Sequence, residues 1–131
     1  MPASDFPNVL IFEEHGHLVV SVQASLNDDQ WRALCRRVAA RAHRTSGIVL
    51  DLYGLDVLDS FSVGVLQYLC KTLRFHGQET VISGIPLPVS LTLTIRGLQI
   101  GDAAVVRDLP EAINLLEHRP PYPPVSPGRH H

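Results

Sequence analysis

The chain is poor in the features that staple or anchor small proteins. It holds two cysteines, Cys35 and Cys70, with no C-x-x-C pair and no Cys/His finger spacing, so neither a disulfide framework nor a zinc cluster organises it. Both cysteines fall among apolar residues at helical spacing and read as buried thiols of a reducing cytoplasm. No run approaches the roughly 18 consecutive apolar residues of a membrane span. The start, Met1-Pro2-Ala3-Ser4-Asp5, lacks the basic and apolar regions of a signal peptide. The expectation is a soluble cytoplasmic protein with no membrane partner. Charged residues make up only 18% and the net charge is -2, which leaves no global attraction to nucleic acid. The P-loop, H-E-x-x-H, G-x-S-x-G and EF-hand patterns are all missing, so no catalytic residue is assigned and a non-enzymatic role is expected.

Cofactor and metal sites are equally ill supplied. A dinucleotide needs a glycine-rich turn between strand and helix, whereas the candidate turn Gly54-Leu55-Asp56-Val57-Leu58-Asp59-Ser60 offers one glycine and two acids. The seven histidines do not gather: His43, His76 and His118 fall near helix ends, His15 and His17 flank a turn, and His130 and His131 end the chain. No cofactor and no metal are expected. What the chain does have is 131 residues that are 45% hydrophobic, enough for one domain that buries about two thirds of its unfolded surface without staples.

The hydrophobic pattern orders that domain. Val9 to Phe12 and Leu18 to Val22 read as a hairpin turning near Gly16. Asn27 or Asp28 caps a helix whose inner face is Trp31, Leu34, Cys35, Val38 and Ala42 and whose natural stop is Ser46-Gly47. Its outer face gathers Arg32, Arg36, Arg37, Arg41 and Arg44. The run Ile48 to Tyr53 has no polar alternation and suits a central strand covered on both faces. Phe61, Val65, Leu66, Leu69, Cys70 and Leu73 mark a second helix, capped by Asp59 and ending at His76-Gly77. Thr80 to Gly84 is another buried strand. Residues 88 to 97 are ambiguous: Val89, Leu91, Leu93 and Ile95 alternate as a strand does, while Pro88 and Gly97 frame a helix. Ala103 to Val106 suits an edge strand and Leu109 to His118 a last helix with Ala112, Ile113 and Leu116 inward. The domain is assigned to residues 1 to 118. Residues 119 to 131, with five prolines, form a separate tail expected to be disordered or extended.

Alternating strands and helices make an α/β domain whose later strands are parallel, with ligand and partner surfaces where strands feed helix N-termini. Two features stand out there. Asp51 interrupts an apolar strand and is expected to point from the strand's end toward solvent or a helix N-terminus. Asp56-Val57-Leu58-Asp59-Ser60-Phe61 places a serine in the first turn of a helix, where a kinase can reach it and the helix terminus tolerates the added charge. On composition alone, an ordinary capping motif explains the same residues. Asp56 and Asp59 would make a phosphorylated surface strongly negative.

Gly47-Ile48-Val49-Leu50-Asp51-Leu52 followed by Gly54-Leu55-Asp56-Val57-Leu58-Asp59-Ser60-Phe61 resembles the STAS domain family of anti-sigma factor antagonists, in particular the RsbS-type stressosome subunits. Val81-Ile82-Ser83-Gly84-Ile85 and Arg96-Gly97-Leu98 resemble its fourth strand and the end of its third helix, whereas Pro86-Leu87-Pro88 departs from the family's usual arginine-proline step. The resemblance implies a mixed central sheet of about five strands with about four helices, and makes residues 88 to 96 a helix. It implies phosphorylation at Ser60 and, secondarily, at Thr92, with Asp56, Asp59, Phe61 and Ser62 facing a partner. The implied partners are an RsbT-like serine/threonine kinase, RsbR-like STAS scaffold subunits and a phosphatase, in a homo- or hetero-oligomer of a bacterial stress-response pathway. Other readings are a simple antagonist of an anti-sigma kinase, a small enzyme or ligand carrier using Asp51, Asp56 and the histidines, and a nucleic-acid surface on the arginine face.

Overall fold

In the computed structural model, residues 8 to 100 and 103 to 118 are described. Strands β1 (Val9–Glu14) and β2 (His17–Val22) form the expected antiparallel hairpin, turning at His15 and Gly16, both of positive φ. Three helical crossovers follow. Helix α1 (Asp28–Ala42) leads to β3 (Gly47–Asp51), α2 (Ser60–Phe75) to β4 (Glu79–Ser83), and α3 (Leu87–Arg96) to β5 (Ala104–Val106), before α4 (Leu109–Glu117) ends the described fold. The sheet order is β1-β2-β3-β4-β5, with every pair after the hairpin parallel. A crossover long enough to hold a helix is what a parallel neighbour requires.

Strand periodicity decides which side each helix covers. Leu18, Val20, Ile48, Leu50 and Ile82 point to one face and pack with Trp31, Leu34 and Val38 of α1, Leu66 and Leu69 of α2 and Val89 and Leu93 of α3. Val19, Val49 and Val81 point to the other and meet Ala112, Ile113 and Leu116 of α4. Three helices therefore lie on one side and a single short one on the other. β3, central and covered on both faces, is the apolar strand the sequence suggested.

Some boundaries differ from the reading of the sequence. Helix α1 ends at Ala42, four residues before Ser46, because His43 caps it and the Thr45 amide and hydroxyl both donate to the Ala42 carbonyl. Cys70 is buried, but Cys35 is only half-buried at the edge of a groove between α1 and α2. Burial still pushes the Cys35 thiol above its ordinary pKa, against the pull of Arg36. Residues 87 to 96 are a helix although their apolar residues alternate. Val89 and Leu93, four apart, face the core while Leu91 and Ile95 stay exposed. The proline-rich tail expected over residues 119 to 131 lies outside the described residues.

Candidate functional site at the start of helix α2

The connection from β3 to α2 is pinned by leucines three residues apart. Leu52, Leu55 and Leu58 are buried, and between them Tyr53, Asp56 and Val57 are left exposed. Gly54 holds the start of this loop against the end of β2, since a Cβ there would lie 2.4 Å from the Gln23 carbonyl carbon. The chain then enters α2 with little freedom. Asp59 is its N-cap, in extended backbone conformation, and its Oδ1 accepts both the Ser62 amide and the Ser62 hydroxyl at 2.8 Å. Those two hydrogen bonds, aided by the charge of Arg96, hold the Asp59 carboxyl below its ordinary pKa.

Ser60 is the first residue of α2 and is exposed. Its Oγ accepts a hydrogen bond from Arg96 Nη2 at 2.9 Å, across 36 residues of sequence. Phe61 beside it is half-buried, with the Arg32 guanidinium carbon 4.8 Å from its ring centre. Ser60 and Phe61 share a groove of about 480 Å³ with Arg32, Cys35, Arg36 and Tyr68. The site is thus mixed in charge: Asp56 and Asp59 come from the loop, Arg96 of α3 acts on Asp59, and Arg32 and Arg36 of α1 line the groove beside Ser60, with Arg32 paired to Asp29. The sequence reading counted only the acids.

The structure brings together Asp59, Ser60 and Phe61, leaves Asp56 exposed on the adjoining loop, and turns Ser62 inward against Asp59. Ser62 is buried and engaged with the cap, so its hydroxyl offers nothing to a surface. Thr92 is exposed one turn before Arg96, with its hydroxyl donating to the Pro88 carbonyl at 3.0 Å. Arg96 is the site residue that sequence reasoning passed over. Its position before the cap Gly97 marked the end of a helix, but no local pattern says which helix start that end will meet.

Asp51 lies elsewhere, half-buried at the end of β3, and is tied to neighbouring strands instead of to a helix N-terminus. It is held across the sheet by the serines beside it in register: Ser83 donates to Oδ1 at 3.2 Å and Ser21 to Oδ2 at 3.5 Å. Burial nonetheless raises its carboxyl above the ordinary pKa, with the Ser83, Tyr53 backbone and Ser21 hydrogen bonds opposing. The groove at Ser60 includes neither Asp51 nor Asp56, nor does a second cavity lined by Glu14, His15, Ile113 and Glu117 among others. His43, His76 and His118 sit at helix C-caps. His17 is buried with its Nε2 3.2 Å from Glu117 Oε2, a pairing that sequence separation concealed. Among the described residues no group of three or more His, Cys, Asp or Glu gathers for a metal ion. Nor, among the described residues, is any helix long and apolar enough to cross a membrane.

The fold is a five-stranded mixed sheet with three helices on one face and one on the other. The STAS domain family matches residues 8–103, and the chain belongs to that family. Among solved structures, an RsbS protein of Moorella thermoacetica is similar at 26% identity and a TM-score of 0.67, covering 83% of this chain and 94% of that one. A structure describing the molecular architecture of the stressosome is similar at 25% identity and a TM-score of 0.62, covering 82% and 96%. The anti-sigma factor antagonist SpoIIAA in its unphosphorylated form shares the fold at 14% identity and a TM-score of 0.60, covering 85% and 99%. Comparison with curated proteins finds no match.

Proposed function

We propose that this domain is a non-enzymatic, phosphorylatable switch subunit of a stressosome-like complex, holding an RsbT-like serine/threonine kinase until Ser60 is phosphorylated. The observation that carries this reading is the exposed Ser60 hydroxyl at the head of an otherwise firmly capped helix. A kinase can reach that oxygen without opening the core, because Leu58 before it and Ser62 and Val63 after it are the residues that anchor the turn. In the transfer, Ser60 Oγ loses its proton, forms a bond to the γ-phosphorus of ATP, and ADP leaves. The product carries about -1.5 to -2 charges beside Asp56 and Asp59, and an interface docked there loses affinity through repulsion and desolvation.

Asp56, Asp59 and Phe61 are the residues proposed to meet the kinase, and Thr92 is a secondary phosphorylation site. RsbR-like STAS subunits are the proposed scaffold, a phosphatase resets Ser60, and the assembly works in the cytoplasm. The likeness to RsbS and to the stressosome supports this reading over a free-standing antagonist.

The test is incubation of the chain with a candidate kinase and ATP, followed by mass-spectrometric location of phosphate. Phosphate on Ser60 is the expected result, with none on the Ser60→Ala variant, which should still bind the kinase but no longer release it. A kinase that binds and leaves Ser60 unmodified would defeat the reading.

A further inference from the structure

Arg96 ends α3 at a fixed place. Gly97, at φ 68°, caps the helix, and the Leu98 amide returns to the Leu93 carbonyl at 2.9 Å. The side chain reaches from there to Ser60, the first residue of a different helix, and donates to its hydroxyl. Among the described residues Arg96 closes no ion pair, although its charge acts on the nearby Asp59, whose Oδ1 is taken by Ser62. A planar guanidinium with five donors leaves most of them unused on one neutral hydroxyl oxygen. It is well matched to a phosphate, whose oxygens accept paired, charge-assisted hydrogen bonds.

We propose that Arg96 is the built-in receptor for a phosphate on Ser60, so that modification ties the C-terminal end of α3 to the N-terminal end of α2. The proposal rests on the reading of Ser60 as the modified residue. It adds that the phosphate is not a bare negative charge at the surface. Arg96 closes on it, and Arg32 and Arg36 line the groove that Ser60 shares. Phosphorylation then does two things at one interface: it adds bulk at Ser60 and takes Arg96 out of reach of a bound protein. A plain exposed hydrogen bond between arginine and serine contributes little to stability, so the unmodified pair need not be a strong clasp.

The experiment uses the full chain with phosphoserine placed at position 60 during translation, which needs no kinase. Phosphorus NMR reads the second phosphate pKa in the native background and in Arg96→Gln and Arg96→Lys backgrounds. The account expects the native value to lie about one unit below that of a short unstructured peptide carrying the same phosphoserine. Arg96→Gln should return it most of the way, and Arg96→Lys, which keeps charge but lacks the fork, should fall between. Identical values in the native and Arg96→Gln chains, both folded by circular dichroism, would overturn the receptor. That failure is separate from failure of the switch: a kinase that ignores Ser60 removes the proposed function and leaves this titration untouched.

Discussion

Asp51 shows how a half-buried carboxylate at the end of a strand is held by neutral hydroxyls. Two serine hydroxyls and the Tyr53 amide stabilise its ionised form, yet burial outweighs them and the pKa rises. The sign of the consequence follows from proton binding. Between the ordinary aspartate pKa near 3.9 and the raised native one, the folded chain binds more protons than the unfolded chain. Stability therefore falls as pH rises through that window. Asp51→Asn should remove that slope and leave the domain at least as stable at neutral pH, as urea unfolding from pH 4 to 8 would show. A loss of stability at neutral pH in Asp51→Asn would mean the ionised form is the favoured one. Ser60 and Ser62 are the complementary pair. Two residues apart, they differ in that Ser60 is exposed while Ser62 is buried in the cap. Ser60→Ala should leave thermal unfolding within a degree or two, whereas Ser62→Ala should lower it measurably by leaving the cap one donor short.

Helix α2 begins where it does because Asp59 satisfies the Ser62 amide, and removing that acceptor should cost about 1 kcal/mol. Asp59→Ala is expected to show this in urea unfolding, and Asp59→Asn to retain most of it. Because the Asp59 pKa is lowered, its contribution is full above the ordinary carboxylate range and is lost as pH falls through the native value. Asp59→Asn should abolish that acid-side loss. An Asp59→Asn variant that loses stability below pH 4 as steeply as the native chain would show that the cap charge is irrelevant. At this scale much was legible in the sequence. The hairpin at Gly16, a first helix capped at Asn27 or Asp28, the Asp59 cap, the buried central strand and the last helix are local signals, and local signals survive folding; the structure chooses Asn27. The end of α1 was not, because its stop comes from Thr45 and Gln78 hydrogen-bonding to the Ala42 carbonyl instead of from the Ser46-Gly47 signal. Residues 88 to 96 were ambiguous because Leu91 and Ile95, exposed in the helix, mimic the alternation of a strand. Arg96 beside Ser60 and His17 beside Glu117 depend on how distant elements cross, which no window of sequence contains.

The molecule as a whole puts its rigid and its changeable parts in different places. Its parallel strands and their two-sided core carry the stability, and the candidate switch lies on the rim where β3 feeds α2. A charge added at Ser60 can change what the rim binds without disturbing what the sheet buries. A subunit of this kind is expected to enter a much larger particle when mixed with an RsbR-like scaffold, which size-exclusion chromatography with light scattering would register. A chain that elutes unchanged beside every scaffold tested would favour the simple antagonist. The most direct measurement is calorimetric titration of the kinase into the unmodified and the Ser60-phosphorylated chain. The account predicts matching circular dichroism spectra and a dissociation constant roughly a hundredfold weaker after phosphorylation, about 2.7 kcal/mol. Equal affinities for the two forms would contradict it.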